Sequence, residues 1–266
     1  TTTQATLFPN YEVPESIKTW PAHGDVSKGQ DYFLAPFYDF NNDGHYNWED
    51  GDFPWYDIKQ DKQCSVDRDV SLYGDKNFWW VMNDKGNIHT ETGADPIGME
   101  IRAQAFAFAS NDEVNNMTFY NYVLINRGTQ TLYNTYFGFF TDGALGDPYD
   151  DYVGCDVMRG LGYYYNGDNF DGDNAGYKGY GYSPPAVGVD FFEGPYQDND
   201  GIDNAYGIGV DEALNGIGYG DGIIDNERFG MRRFLYYSNT TNGANVNQTD
   251  PIAASDYYNY LRGYWK

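Results

Sequence analysis

The stretch MEIRAQAFAFA at 99–109 decides the fold class. Met99, Ile101, Ala103, Ala105 and Ala107 fall on one face of an extended chain; Glu100, Arg102, Gln104, Phe106 and Phe108 fall on the other. The alternation has a period of about two, whereas a helix repeats near 3.6, so the stretch reads as a strand. Downstream, MTFYNYVLIN (117–126) and TLYNTYFGFF (131–140) are joined by Arg127-Gly128-Thr129-Gln130, which predicts a hairpin with glycine in its turn. GLGYYYNG (160–167), AVGVDFF (186–192) and MRRFLYY (231–237) read as further strands. Upstream, FWWVMNDKGN (78–87) reads as a strand running into a turn, with Trp79 and Trp80 pointing to opposite faces. SDYYNYLRGYW near the C-terminus reads as helix, with Ser255 as its N-cap.

Composition supports strands and tight turns. The 266 residues include 27 Tyr, 17 Phe and 32 Gly. Aromatics fit pleated surfaces, and glycine supplies the positive φ that turns need. Disordered chains are poor in aromatics, which excludes disorder as the description of this one. The expected fold is all-β, an immunoglobulin-like or jelly-roll β-sandwich centred on residues 95–165, with long acidic loops and a short C-terminal helix. Residues 1–94 are expected to be an extended lead-in with an acidic loop and the first strands. Residues 95–266 are expected to form the sandwich core, packed with the lead-in as one unit. No repeat of 20–50 residues is visible.

The acids are patterned. Asp39-Phe-Asn41-Asn-Asp43-Gly44-His45-Tyr-Asn47-Trp-Glu-Asp50 fits a twelve-residue calcium loop. Asp39, Asn41 and Asp43 stand at positions 1, 3 and 5, and Gly44 takes the sharp turn at position 6. The His45 carbonyl falls at 7, Asn47 at 9 and Asp50 at 12. Asx-rich turns form without metal, but all six ligand positions and the turn glycine match here. The loop resembles those of dockerins, although no second copy follows. Asp142, Asp147, Asp150, Asp151 and Asp156 form a second cluster, and Asp168, Asp171 and Asp173 a third. Carboxylates crowded this closely need a cation or raised pKa values. Asp198-Asn-Asp200-Gly201-Ile-Asp203 and Asp221-Gly222-Ile-Ile-Asp225-Asn-Glu227 are each half a calcium loop and are expected to complete one site together, with Asp211 or Glu212 as further ligands. The expected cofactor is calcium, which makes the long loops calcium-binding.

Sixteen basic against 40 acidic residues give a net charge of −24. Such a chain repels a phosphate backbone, so nucleic acid is not an expected partner, and neither is an anionic membrane surface. No stretch approaches the roughly 20 apolar residues of a membrane span, so direct membrane insertion is not expected. The chain begins at Thr1 and ends at Lys266, and it reads as a piece of a longer one. Cys64 and Cys155 leave two readings open, one disulfide or two buried thiols.

Catalytic motifs are missing. His23, His45 and His89 lack zinc spacing, no serine sits in GxSxG, and no GxxxxGK[ST] occurs. The chain is therefore not expected to be an enzyme, although a glycoside hydrolase, which needs only two carboxylates, stays open on sequence.

The segments WWVMNDKGNIHTETGADPIGMEIRAQAFAFA (79–109), FYNYVLINRGTQTLYNTYFG (119–138), DDYVGCDVMRGLGYYYNGD (150–168) and NGIGYGDGIIDNERFGMRRF (215–234) resemble large secreted cell-surface proteins of Bacteroidota, the cargo of the type IX secretion system. The resemblance implies a secreted location, extracellular or at the outer-membrane surface. The expected function is a calcium-stabilised structural or adhesive module. The alternative is a carbohydrate-binding module, or the non-catalytic part of a polysaccharide-degrading enzyme, with Trp48, Trp55, Trp79, Trp80 and the tyrosines available to stack on sugars. Expected partners are other domains of the same long chain, surface glycans or other cell-surface proteins.

Overall fold

The computed structural model describes residues 10–28, 32–55, 73–86, 88–205, 215–238 and 247–266. The chain divides into two units, 1–133 and 134–266. The boundary expected between 94 and 95 falls inside the first unit, between two strands that hydrogen-bond to each other. Ten strands stand beside two α-helices among the described residues, and every strand pair is antiparallel. The fold is thus mostly β, in four small sheets.

In the first unit, a one-turn helix α1 (Glu15–Lys18) precedes β1 (Phe37–Tyr38) and β2 (Phe53–Pro54), which pair across the first acidic loop. Next comes a meander of β3 (Lys76–Asn83), β4 (Met99–Ala107) and β5 (Thr118–Asn126). The alternation read in 99–109 is realised across the sheet. On one face, Phe78, Ala105 and Tyr120 are register partners, as are Trp80, Ala103 and Tyr122. On the other, Phe106 stacks on Phe119 with ring centroids 5.3 Å apart, and Trp79 stacks on Trp20 at 5.2 Å. Buried Glu100 lies on that second face, held by Arg102 (2.6 Å) and Arg127 (2.9 Å).

The expected hairpin partner at 131–140 is not a strand. Arg127 N–H bonds back to the Gly98 carbonyl (2.8 Å), and Asn134 adopts a φ of +51°, which breaks an extended run. The strands of 95–165 belong to two sheets, Met99–Ala107 and Thr118–Asn126 in one of the first unit, Asp151–Asp156 and Leu161–Asn166 in one of the second.

The second unit contains β6 (Asp151–Asp156), β7 (Leu161–Asn166) and β10 (Ala186–Asp190) in the order β10-β7-β6. β8 (Phe170–Asp171) pairs with β9 (Gly181–Tyr182), and α2 (Ala254–Leu261) follows near the C-terminus. Residues 231–237 form no ladder. They are joined to other elements through rings: Tyr237 stacks on Phe140 (6.0 Å) and contacts Tyr260 of α2 (5.4 Å). The N-cap is Ala253, two residues before the expected Ser255. Asp256 supplies the cap by accepting the N–H groups of Ile252 (3.1 Å) and Ala253 (3.2 Å).

Fully buried apolar residues among those described are Ala22, Ala35, Ala103, Ala105 and Leu145. Buried polar ones are more numerous: Asp52, Glu100, Gln104, Asp147, Asn166, Asp171 and Glu227. No helix among the described residues is long and apolar enough to cross a membrane.

Candidate metal sites

The loop between β1 and β2 closes on itself. Asp39 accepts the N–H groups of Asp43 (3.2 Å) and Gly44 (2.7 Å), and Gly44 has the positive φ of +77° that this turn demands. Asn41 Oδ1 accepts Asp43 N–H (3.0 Å). Asp43 accepts His45 N–H (2.7 Å) and the Asn41 amide (2.9 Å), and these two bonds hold its carboxyl below the usual range. Exposed Asp50 accepts only the Asn47 amide (2.8 Å) among the hydrogen bonds of the described residues. Asp39, Asp43 and Asp50 do not form a group of three carboxylates within 4.8 Å of one another. The residue that gathers the loop is Asp52, 3% exposed, which accepts Phe40 N–H (2.9 Å) and Asn47 N–H (2.8 Å). His23 and Tyr46 anchor the loop: Tyr46 N–H donates to His23 Nε2 (2.8 Å), and the Tyr46 hydroxyl donates to the Ile17 carbonyl (2.5 Å). Burial, with the Asp52 charge nearby, pushes the Tyr46 phenol up to about 12.

The half-loops at 198–203 and 221–227 do meet. Carboxylate oxygens of Asp198, Asp200 and Asp225 lie within 4.8 Å of one another, the one such group among the described residues. The backbone holds the two halves together. Gly201 N–H donates to Asp225 (2.8 Å), and Asp203 takes the N–H groups of Gly220 and Gly222 (both 2.7 Å). Asp225 itself adopts a φ of +57°, and its carboxylate lies against the other half-loop. Asp221 accepts the Asn226 amide (3.0 Å) and Ile223 N–H (2.8 Å), bonds that lower its pKa. Glu227 is 1% exposed; one oxygen accepts Asn204 N–H, while the other is buried and accepts no hydrogen bond. Asp211 and Glu212 lie outside the described residues.

The two remaining clusters redistribute. Asp156 pairs with Arg159, Asp173 pairs with Lys178, and both carboxyls are held low by those bonds. Asp168 accepts Phe170 N–H (2.7 Å), and Asp142 is exposed. Asp147 N–H donates to Asp171 (3.1 Å), and burial, opposed by the bond from Leu145 N–H and aided by the charges of Asp150, Asp171 and Asp147, pushes the Asp151 carboxyl above its usual range. Cys155 is a free, half-buried thiol; Cys64 lies outside the described residues.

Sequence reasoning missed Asp52, Asn166, Asn204 and Asp84. Asp84 gathers the N–H groups of Ile97 (2.6 Å), Gly98 (3.0 Å) and Met99 (2.9 Å) and so ties the turn after β3 to the start of β4. Its signal was the Asn-Asp-Lys-Gly turn; Asn166, inside a strand, gave none. Compared with protein-family models, curated proteins and solved structures, the chain matches none.

Proposed function

We propose that the chain is a secreted, calcium-stabilised structural or adhesive module of a large bacterial cell-surface protein. The observation that carries this reading is the meeting of Asp198, Asp200 and Asp225 from two separate half-loops. The donors are all oxygen, with no His or Cys among them. That favours calcium, which takes six to eight oxygens in irregular cages at about 2.3–2.6 Å, over magnesium, which requires a near-regular octahedron. The sandwich belongs to the same proposal: the β3–β4–β5 sheet presents Phe78, Met82 and Tyr120 at its surface, an aromatic face suited to a second layer.

A second reading is favoured by one observation. Tyr120 and Tyr122 lie on that face with rings within 6° of parallel, centroids 6.3 Å apart, and exposures of 52% and 38%. Parallel exposed rings are platforms for sugar stacking, so the alternative is a carbohydrate-binding module.

Thermal melting of metal-stripped protein tests the first reading. Adding calcium at about one hundred times Kd stabilises a folded state by about 2.7 kcal/mol. Calcium is expected to raise Tm more than magnesium does, and Asp225→Asn to shrink the calcium effect. Equal melting with and without millimolar calcium in the wild type would sink the reading. A glycan array separates the alternative: binding lost in Tyr120→Ala favours the sugar module.

A further inference from the structure

The second unit contains another arrangement, independent of the group at Asp225. Asp150 and Asp151 lie where β6 begins, and Asn166 ends β7. Asp151 and Asn166 are cross-strand partners, so their side chains leave the same face of the sheet with Cβ atoms about 5 Å apart. The Asp150 carbonyl extends the ladder by accepting Gly167 N–H (2.8 Å). Three side-chain oxygens here are shut off from solvent and accept no hydrogen bond: Asp150 Oδ1, Asp151 Oδ1 and Asn166 Oδ1. Asn166 is 6% exposed, and its amide orientation is fixed because Nδ2 donates to the Asp168 carbonyl (3.2 Å). Turned over, two carbonyl-type oxygens would face each other, so it is oxygen that Asn166 presents beside Asp151.

Two further carboxylates back this group. Asp147, 6% exposed, accepts Tyr149 N–H (3.1 Å) and the Asn174 amide (2.9 Å). Asp171, 1% exposed, accepts Asp147 N–H (3.1 Å) and Tyr180 N–H (2.7 Å). The backbone is wrapped tightly here, since a Cβ on Gly146 would lie 1.9 Å from Asp171 Oδ2. Among the described residues no salt bridge reaches Asp147, Asp150, Asp151 or Asp171. Buried charge without a counter-charge is strongly unfavourable, and each orphaned oxygen adds the cost of its lost hydration. A proton on Asp151 Oδ1 can be donated to Asn166 Oδ1, which answers one charge and two oxygens and leaves the Asp150 oxygen unanswered. A hard divalent cation answers all of them at once.

We propose that Asp150, Asp151 and Asn166 ligate a second divalent cation of the calcium class through these three oxygens, with Asp147 and Asp171 supplying neighbouring negative charge.

The test counts ions. The full chain is stripped by chelation and dialysed against saturating calcium chloride, and bound calcium per chain is measured by elemental analysis. Asp151→Asn and Asn166→Leu are each expected to lose about one ion per chain. Asp225→Asn is expected to lose a different one, and Asp151→Asn combined with Asp225→Asn to lose both. Asp151→Asn keeps the side-chain size and can keep the bond from Leu145 N–H, so it also reports should Asn166→Leu fail to fold. Melting gives a second signature. Asp151→Asn removes a repelling charge, so it is expected to raise Tm in chelator and lower it, relative to wild type, in calcium. An unchanged ion count in Asp151→Asn overturns the proposal and assigns the three oxygens to buried water. A Tm shift of the same sign in chelator and in calcium overturns it as well. If Asp151→Asn lowers the count while Asp225→Asn does not, this site stands and the reading at Asp225 falls.

Discussion

Asp50 and Asp52 are two residues apart and differ in everything that decides stability. Asp50 is exposed and receives one side-chain amide; Asp52 is buried and receives two backbone N–H groups from opposite ends of its loop. Removing Asp52 leaves two part-buried donors without partners, at about 1 kcal/mol each, the low end of the range for buried groups. In metal-free protein, Asp52→Ala is therefore expected to lose about 2 kcal/mol in urea unfolding, and Asp50→Ala less than about 0.5 kcal/mol. Equal losses would mean that Asp50 organises the ion-free loop as much as Asp52 does. The template was legible because Asp, Asn and Gly at fixed offsets announce a turn. Asp52 was not, because Gly51-Asp52 looks like an ordinary loop end until β1 and β2 pair and bring Phe40 and Asn47 to it.

At the scale of elements, β3, β4, β5, β7 and β10 were legible in the sequence, whereas β6 lay unread inside an acidic cluster, and 131–140 and 231–237 were read as strands and form no ladder. Alternation reports which side chains share a face; it does not say whether a neighbouring backbone is present to pair with. The left-handed Asn134 interrupts one run, and aromatic contacts with Phe140 and α2 hold the other. The two halves of the Asp225 site were legible as half-loops, while the cage beside Asn166 depends on the register of β6 with β7, which local sequence does not carry. A close approach in the same region gives an element-scale prediction. Gly143 lies against the ring of Tyr164 in β7, so a Cβ there would stand 2.1 Å from Tyr164 Cζ. Gly143→Ala is expected to cost about 1–3 kcal/mol through overpacking. Adding Tyr164→Ala should make the two changes less than additive in a double-mutant cycle. Additive losses would mean that the ring moves aside freely.

For the whole molecule, a net charge of −24 is distributed over a chain whose fully buried apolar residues, among those described, are four alanines and one leucine. Buried carboxylates gripped by N–H groups do much of the organising that large aliphatic residues do elsewhere. Generic screening does not reach them: at about 0.15 M salt the Debye length is about 8 Å, and it applies to charges in water. The metal-stripped chain is therefore expected to show a larger hydrodynamic radius by light scattering than the calcium-loaded chain. Sodium chloride at matched ionic strength should not restore the compact value, and full restoration by sodium chloride would reduce the acidic loops to bulk charge effects. The joint between Asp200 and Asp225 has a consequence of its own. With an ion seated, it ties off a loop of about 25 residues, a closure that a disulfide of the same span would strengthen by about 3–4 kcal/mol. Unlike a disulfide, this cross-link needs no oxidant to form and resists every reductant. If calcium is that ion, a chelator would open the joint and dilution into calcium would remake it, without any redox partner.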